Sequence, residues 1–188
     1  MDMNRVFLET TEKQFIYYKQ LGERAMEQLE TEQLFQTWNE DTNSIAVIVK
    51  HLSGNMRSRW TDVLTTDGEK PWRERDAEFV GDFNTREELL ALWEEGWDCL
   101  LGAIRSFMPD HMSQIIYIRN EGHTIMEAIM RQLAHYPYHI GQIVHTAKML
   151  KLSSWESLSI PRNGSSSYNE GKFSKPKTRK HFTEDKLQ

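Results

Sequence analysis

Apolar positions recur along this chain at spacings of three and four over four long stretches, with polar residues filling the gaps between them. The first stretch covers residues 4–29. There Phe7, Thr11, Phe15, Tyr18, Leu21, Ala25 and Leu29 draw one apolar stripe on a helix, and the polar residues 30–33 end it. The second begins at Asn43 or Ser44, either of which can cap a helix. It runs through Ile45, Ile48, Val49, Leu52, Met56 and Trp60 to about residue 64, before the turn signal Asp67-Gly68. The third begins at Asn84 or Thr85, where Thr85 and Glu88 have the spacing of a capping box. Leu89, Leu92, Trp93, Leu100, Ala103, Ile104 and Phe107 carry its apolar face, and Pro109 stops it. The fourth starts at Thr124, with Glu127 three residues on, and runs through Ile125, Ile129, Leu133, Ile140, Val144 and Met149 to about residue 151. Pro137 lies inside it and is predicted to kink it.

The connections carry weaker signals. Residues 67–83 are charged and irregular but include Trp72 and Phe79, which predicts an ordered loop anchored by those two rings. Residues 114–119 are rich in β-branched and aromatic side chains, predicting a brief extended segment or half of a hairpin with the residues before it. From residue 161 the composition changes to Pro161, Gly164, three successive serines and the basic cluster Lys172, Lys175, Lys177, Arg179 and Lys180. An extended tail is expected there, wrapped over the domain at first and disordered near its end. The expected fold is all-α: an up-down four-helix bundle with long connections over residues 1–160, followed by a C-terminal extension over 161–188.

Composition narrows the function classes. Apolar residues make up 38% of the 188, and six Trp, six Tyr and eight Phe are enough for one core. The net charge is -5, and residues 1–151 hold 24 acids against 16 bases, which disfavours a nucleic-acid binder despite the basic tail. Cys99 is the single cysteine, so no intrachain disulfide forms. No apolar run approaches the roughly 18 residues of a membrane-spanning helix. The first ten residues lack the apolar core of a signal peptide. These features lead us to expect a soluble, cytoplasmic protein.

The histidines carry the candidate chemistry. His135 and His139 are four apart on the fourth helix, which places both imidazoles on one face. His51 sits mid-way along the second helix. If those two helices pack side by side, it completes a three-nitrogen site with room for water or substrate, the arrangement of catalytic zinc. A histidine pair at this spacing also arises by chance, solvated or bonded to neighbours. His145 points to another face, and His111, His123 and His181 fall in loop, cap or tail positions. Near the face of His51 lie Asn55, able to bond a bound water or an imidazole N–H, and Arg59, able to clamp a carboxylate or phosphate. For Arg59 the acids of the following loop, Asp67, Glu69, Asp76 and Glu78, are the favoured partners. Gln142 is a candidate to orient His139, though helix capping or core bonding accounts for it equally well. Cys99 and the tryptophans read as packing residues.

The segment His135–Ile143, HYPYHIGQI, resembles the signature on the last bundle helix of the DinB-like superfamily. Residues 50–79 and 158–163 resemble one bacterial branch of it. The resemblance covers all but the basic tail. It implies a four-helix bundle holding a divalent metal, zinc or nickel, on His51, His135 and His139. It further implies a small-molecule substrate, a homodimer, and activities such as thiol transfer, hydrolysis or isomerisation; in an enzyme of that kind Asn55 and Arg59, from their place near the His51 face, are the candidates to orient the substrate. A metal-binding, stress-linked protein without turnover is the alternative.

Overall fold

The computed structural model describes residues 2–80 and 83–186. Gly81, at the end of the irregular loop, and the last two residues of the tail lie outside it. Among the described residues there are six helices and one small sheet: α1 (Met3–Met26), α2 (Thr31–Leu34), α3 (Ile45–Trp60), α4 (Arg86–Ser106), β1 (Ile115–Ile118), β2 (Glu121–Thr124), α5 (Ile125–Leu150) and α6 (Ser165–Phe173). Single 3-10 turns lie at Asp76–Phe79 and Pro109–Ser113. The four long helices form an all-α bundle. Helix α1 packs on α4 and α5, and α3 packs on the same two, so α1 and α3 face each other across a diagonal. That placement accounts for the long connection between them.

Each long helix starts where its sequence provides a cap. The Asp2 carboxylate accepts the amides of Asn4 and Arg5, and the Ser44 hydroxyl accepts that of Val47. Thr85 with Glu88, and Thr124 with Glu127, form complete capping boxes. The helices then close around Phe15, Met56, Trp93, Trp97, Tyr136 and Ile140, all essentially without solvent contact. Helix α3 is buried on nearly every side, polar residues included, because α4 covers one face and the 76–79 turn and α5 cover the other. Gly96 allows the close approach of α4: a Cβ there would lie 2.8 Å from the Ser53 Cα.

Three expectations need correcting. Of the two rings expected to anchor the 67–83 loop, Trp72 is 52% exposed and Phe79, 39% exposed, only leans on the bundle. The firmer hold comes from buried charged groups, Lys70, Arg73 and Glu78, which find partners inside the fold. Strand β1 pairs with the residues after it, not before, in register from Ile115 opposite Thr124 to Ile118 opposite Glu121. Its two-residue turn, Arg119-Asn120, has φ of 57° and 63°, the conformation whose twist suits a tight hairpin. The tail is not simply extended: residues 165–173 form α6, and the chain beyond packs back on α1. Thr183 is fully buried there, and the Phe182 ring stands edge-on to Tyr17 at 5.7 Å.

The hairpin tip is tied to the loop after α3. The Asp67 carboxylate accepts the amides of Arg119 (2.8 Å) and Asn120 (2.9 Å), and the Gly68 amide donates to the Tyr117 carbonyl at 2.8 Å. Arg119 is thereby fixed at one side of the cleft described next.

Candidate metal centre

Helix α3 brings His51 to the face that α5 covers, and α5 brings His135 and His139 to meet it. One ring nitrogen from each lies within 4.8 Å of the others, and three histidines this close can hold a metal ion. Pro137 sits between the two α5 histidines, yet α5 runs unbroken from Ile125 to Leu150 and the pair stays together. Their Nε2 atoms are 3.1 Å apart.

The other nitrogen of each ring is taken. Nδ1 of His51 meets the Glu78 carboxylate at 2.9 Å, Nδ1 of His135 the Gln132 side-chain oxygen at 3.1 Å, and Nδ1 of His139 the Gln142 side-chain oxygen at 2.8 Å. A carboxylate or amide oxygen can only accept, so each Nδ1 carries the proton and each Nε2 presents a lone pair. Two lone pairs facing each other at 3.1 Å repel unless a cation lies between them. A proton does not fill that role near neutrality. Burial, reinforced by the neighbouring His139 and His51 and by Arg131 and Arg59, pushes His135 down to about 4. Burial also lowers His139, against the bond to Gln142. Two ligands of a four-coordinate zinc with bonds of about 2.0–2.1 Å stand roughly 3.3 Å apart, close to the spacing seen. The donor set therefore fits a divalent metal.

The surroundings fix the rings. Phe79 stacks on His51 at 5.3 Å and Tyr138 stands edge-on to His139 at 5.0 Å. Glu78 is held in turn by Arg73, whose Nε and Nη2 donate to it at 2.7 and 3.0 Å. Burial alone would raise the Glu78 carboxyl, but the bonds from His51 and Arg73 outweigh it and hold it below the usual carboxylate range. Asn55 and Arg59 both line the same cleft as the histidines. The Asn55 side-chain oxygen accepts from the Tyr136 hydroxyl at 3.1 Å, which itself accepts from the Trp60 indole at 3.0 Å, so Asn55 is left with its amide N–H2 as a donor. Arg59 donates through Nη1 to the Gly68 carbonyl at 3.1 Å and comes within 4.0 Å of Glu69 alone among the loop acids expected to pair with it. Burial lowers its pKa.

Sequence reasoning did not find Glu78 as the partner of His51, nor Arg73 and Gln132. Gln132 carried a signal, since it stands three residues before His135 as Gln142 stands three after His139. Glu78 carried none, because it is 27 residues from His51 in an irregular loop. A larger cavity, about 720 Å³ between α1 and the tail, contains none of the three histidines.

Residues 2–164 match the model of a family described as protein of unknown function (DUF1572). The chain belongs to the DUF1572 family. No curated protein and no solved structure matches it. All three histidines, the side chains that hold their Nδ1 atoms and the adjoining cleft lie within the DUF1572 match, whereas α6 and the segment packed on α1 lie beyond it. Among the described residues no helix is long and apolar enough to cross a membrane.

Proposed function

We propose that His51, His135 and His139 hold a divalent cation, zinc or nickel, and that the protein is a metal-dependent enzyme acting on a small molecule by thiol transfer or hydrolysis. The observation that carries this reading is the set of three imidazoles turned by their own acceptors, each with a lone pair directed inward. When bound, the cation supplies Lewis acidity that lowers the pKa of a coordinated water or thiol. Three nitrogen ligands leave coordination positions for such a group.

The chain's own residues then divide the work. Glu78, Gln132 and Gln142 hold the imidazoles in the tautomer that binds metal. The Asn55 amide, steadied by Tyr136, donates a hydrogen bond into the cleft, and Arg59 orients a negatively charged part of the substrate. The resemblance of the HYPYHIGQI segment to the DinB-like superfamily supports the thiol-transfer branch of this reading. A second reading, a metal-binding protein without turnover, draws on the lack of any carboxylate among the described residues that line the cleft.

Zinc- and nickel-loaded protein, assayed with low-molecular-weight thiols plus electrophiles and with hydrolysable esters, separates the two. Turnover that disappears in a His139→Ala variant supports the enzyme. Metal occupancy with no turnover of either substrate class supports the second reading.

A further inference from the structure

The cleft beside the three histidines has a volume of about 410 Å³, and five of the residues lining it are arginines: Arg59, Arg73, Arg75, Arg119 and Arg131. This concentration stands out in a chain with five more acidic than basic residues. The charge is only partly cancelled from behind. Glu78 binds Arg73 through both of its oxygens. Glu69 lies 3.2 Å from Arg73, 3.3 Å from Arg119 and 4.0 Å from Arg59. Glu78 and Glu69 thus serve three guanidiniums between them, Asp76 lies 4.0 Å from Arg75, and none of these carboxylates lines the cleft.

Two arginines are placed in ways that packing does not explain. Arg119 occupies a hairpin position with φ of 57°, where glycine or asparagine is the usual choice, yet its side chain reaches the cleft. Arg131 is exposed on α5, one turn before His135 and on the same face, and makes no ion pair among the described residues. Arg59 adds a third feature. It is 4% exposed, and its Nε has no hydrogen-bond partner. A buried guanidinium with an unmade bond is costly to hold, and it adds its positive charge to the floor of the cleft.

We propose that this cleft binds its small-molecule substrate through an oxyanion group, a carboxylate or a phosphate, gripped at the rim by Arg131 and Arg119. The remainder of the substrate then lies against His135, His139 and His51. The planar guanidinium matches both kinds of oxyanion with paired N–H donors. A cleft of this size takes a metabolite rather than a polymer. The inference names the substrate class of the centre proposed above and rests on that reading for the chemistry, but not for the anion binding itself.

The test is calorimetric titration of the full chain, in chelator and again after zinc loading, with inorganic phosphate, succinate and neutral succinamide. Saturable binding of phosphate or succinate, weakened by added sodium chloride and absent for succinamide, is the expected result. The stronger of the two anions identifies the kind of oxyanion. Arg131→Ala and Arg119→Gly, which change exposed side chains and leave the core untouched, are each expected to weaken that binding about tenfold, some 1.4 kcal/mol. Equal behaviour of succinate and succinamide, or anion binding unchanged in both variants, overturns the proposal. Anion binding that persists in chelator while zinc fails to bind leaves this inference standing and sinks the metal reading alone.

Discussion

The Glu78 carboxylate that meets Nδ1 of His51 lies against the bare backbone of Gly54, where a Cβ would collide with it. One turn of α3 thus provides both an imidazole of the candidate site and the hollow for the carboxylate bonded to it. The 67–83 loop, otherwise irregular, is pinned to the bundle at this point through Glu78 and Arg73.

Gly54→Ala is therefore expected to expel Glu78 from its place. Groups that orient a ligating histidine are worth roughly 10- to 100-fold in metal affinity, so zinc affinity should fall by that range while the helical circular dichroism stays unchanged. A competition titration against a chromophoric chelator measures it. Unaltered affinity would show that Glu78 plays no part in the site.

Gln142→Ala removes the acceptor of the His139 Nδ1 proton without touching a ligand. Its expected effect is a loss of roughly tenfold in metal affinity with little change in the urea midpoint of the chelated protein. Gln142→Glu, which keeps an acceptor, is expected to restore most of the affinity. A merely structural role for the glutamine would show the opposite pattern.

Tyr136→Phe deletes a hydroxyl that is fully buried and twice bonded. The Trp60 indole N–H and the Asn55 oxygen both lose their partner, at a cost of about 1–3 kcal/mol for buried groups left unpaired. Urea unfolding measures this loss. Burial pushes the phenol far above its ordinary value, so it stays protonated and the effect should be the same at pH 6 and pH 8.

Asp67 supplies a pH dependence independent of the histidines. What burial it has works to raise its carboxyl, but three backbone amides, those of Asn120, Glu69 and Arg119, hold it below its ordinary value of 3.8. A carboxyl depressed in the folded state stabilises the protein above its unfolded pKa, and that contribution is lost as pH falls through the folded one. The gap in urea midpoint between the parent and Asp67→Asn should accordingly be full at pH 6 and shrink steadily below about pH 4. A gap that is constant or grows on acidification contradicts the assignment.

The four long helices were readable because each combines an apolar stripe with a side-chain cap, and the observed limits at Ser44, Thr85 and Thr124 are those caps. Spacing put His135 and His139 on one face, but bringing His51 to them required that the two helices pack side by side, which only the resemblance to the DinB-like superfamily implied; the three side chains do lie together. What escaped was set by contacts between distant segments. Glu78 finds His51 through the hollow at Gly54, and Arg119 reaches the cleft because Asp67 grips the hairpin tip. Neither relationship leaves a periodic trace. The loop misled for a related reason: its aromatic residues suggested anchors, but Trp72 lies outside beneath Arg57, at 5.5 Å, while buried charges make the attachment. The tail was misjudged on composition, since its serines and lysines mask a segment in which Thr183 is fully buried.

The most direct measurement is elemental analysis of protein purified without a histidine tag and equilibrated with zinc or nickel, alongside His51→Ala, His135→Ala and His139→Ala. The account predicts about one bound ion per chain in the parent, as a single three-nitrogen site requires, and loss of that ion in each variant that keeps its helical circular dichroism. A parent chain that takes up no metal, or folded variants that hold as much as the parent, would contradict it.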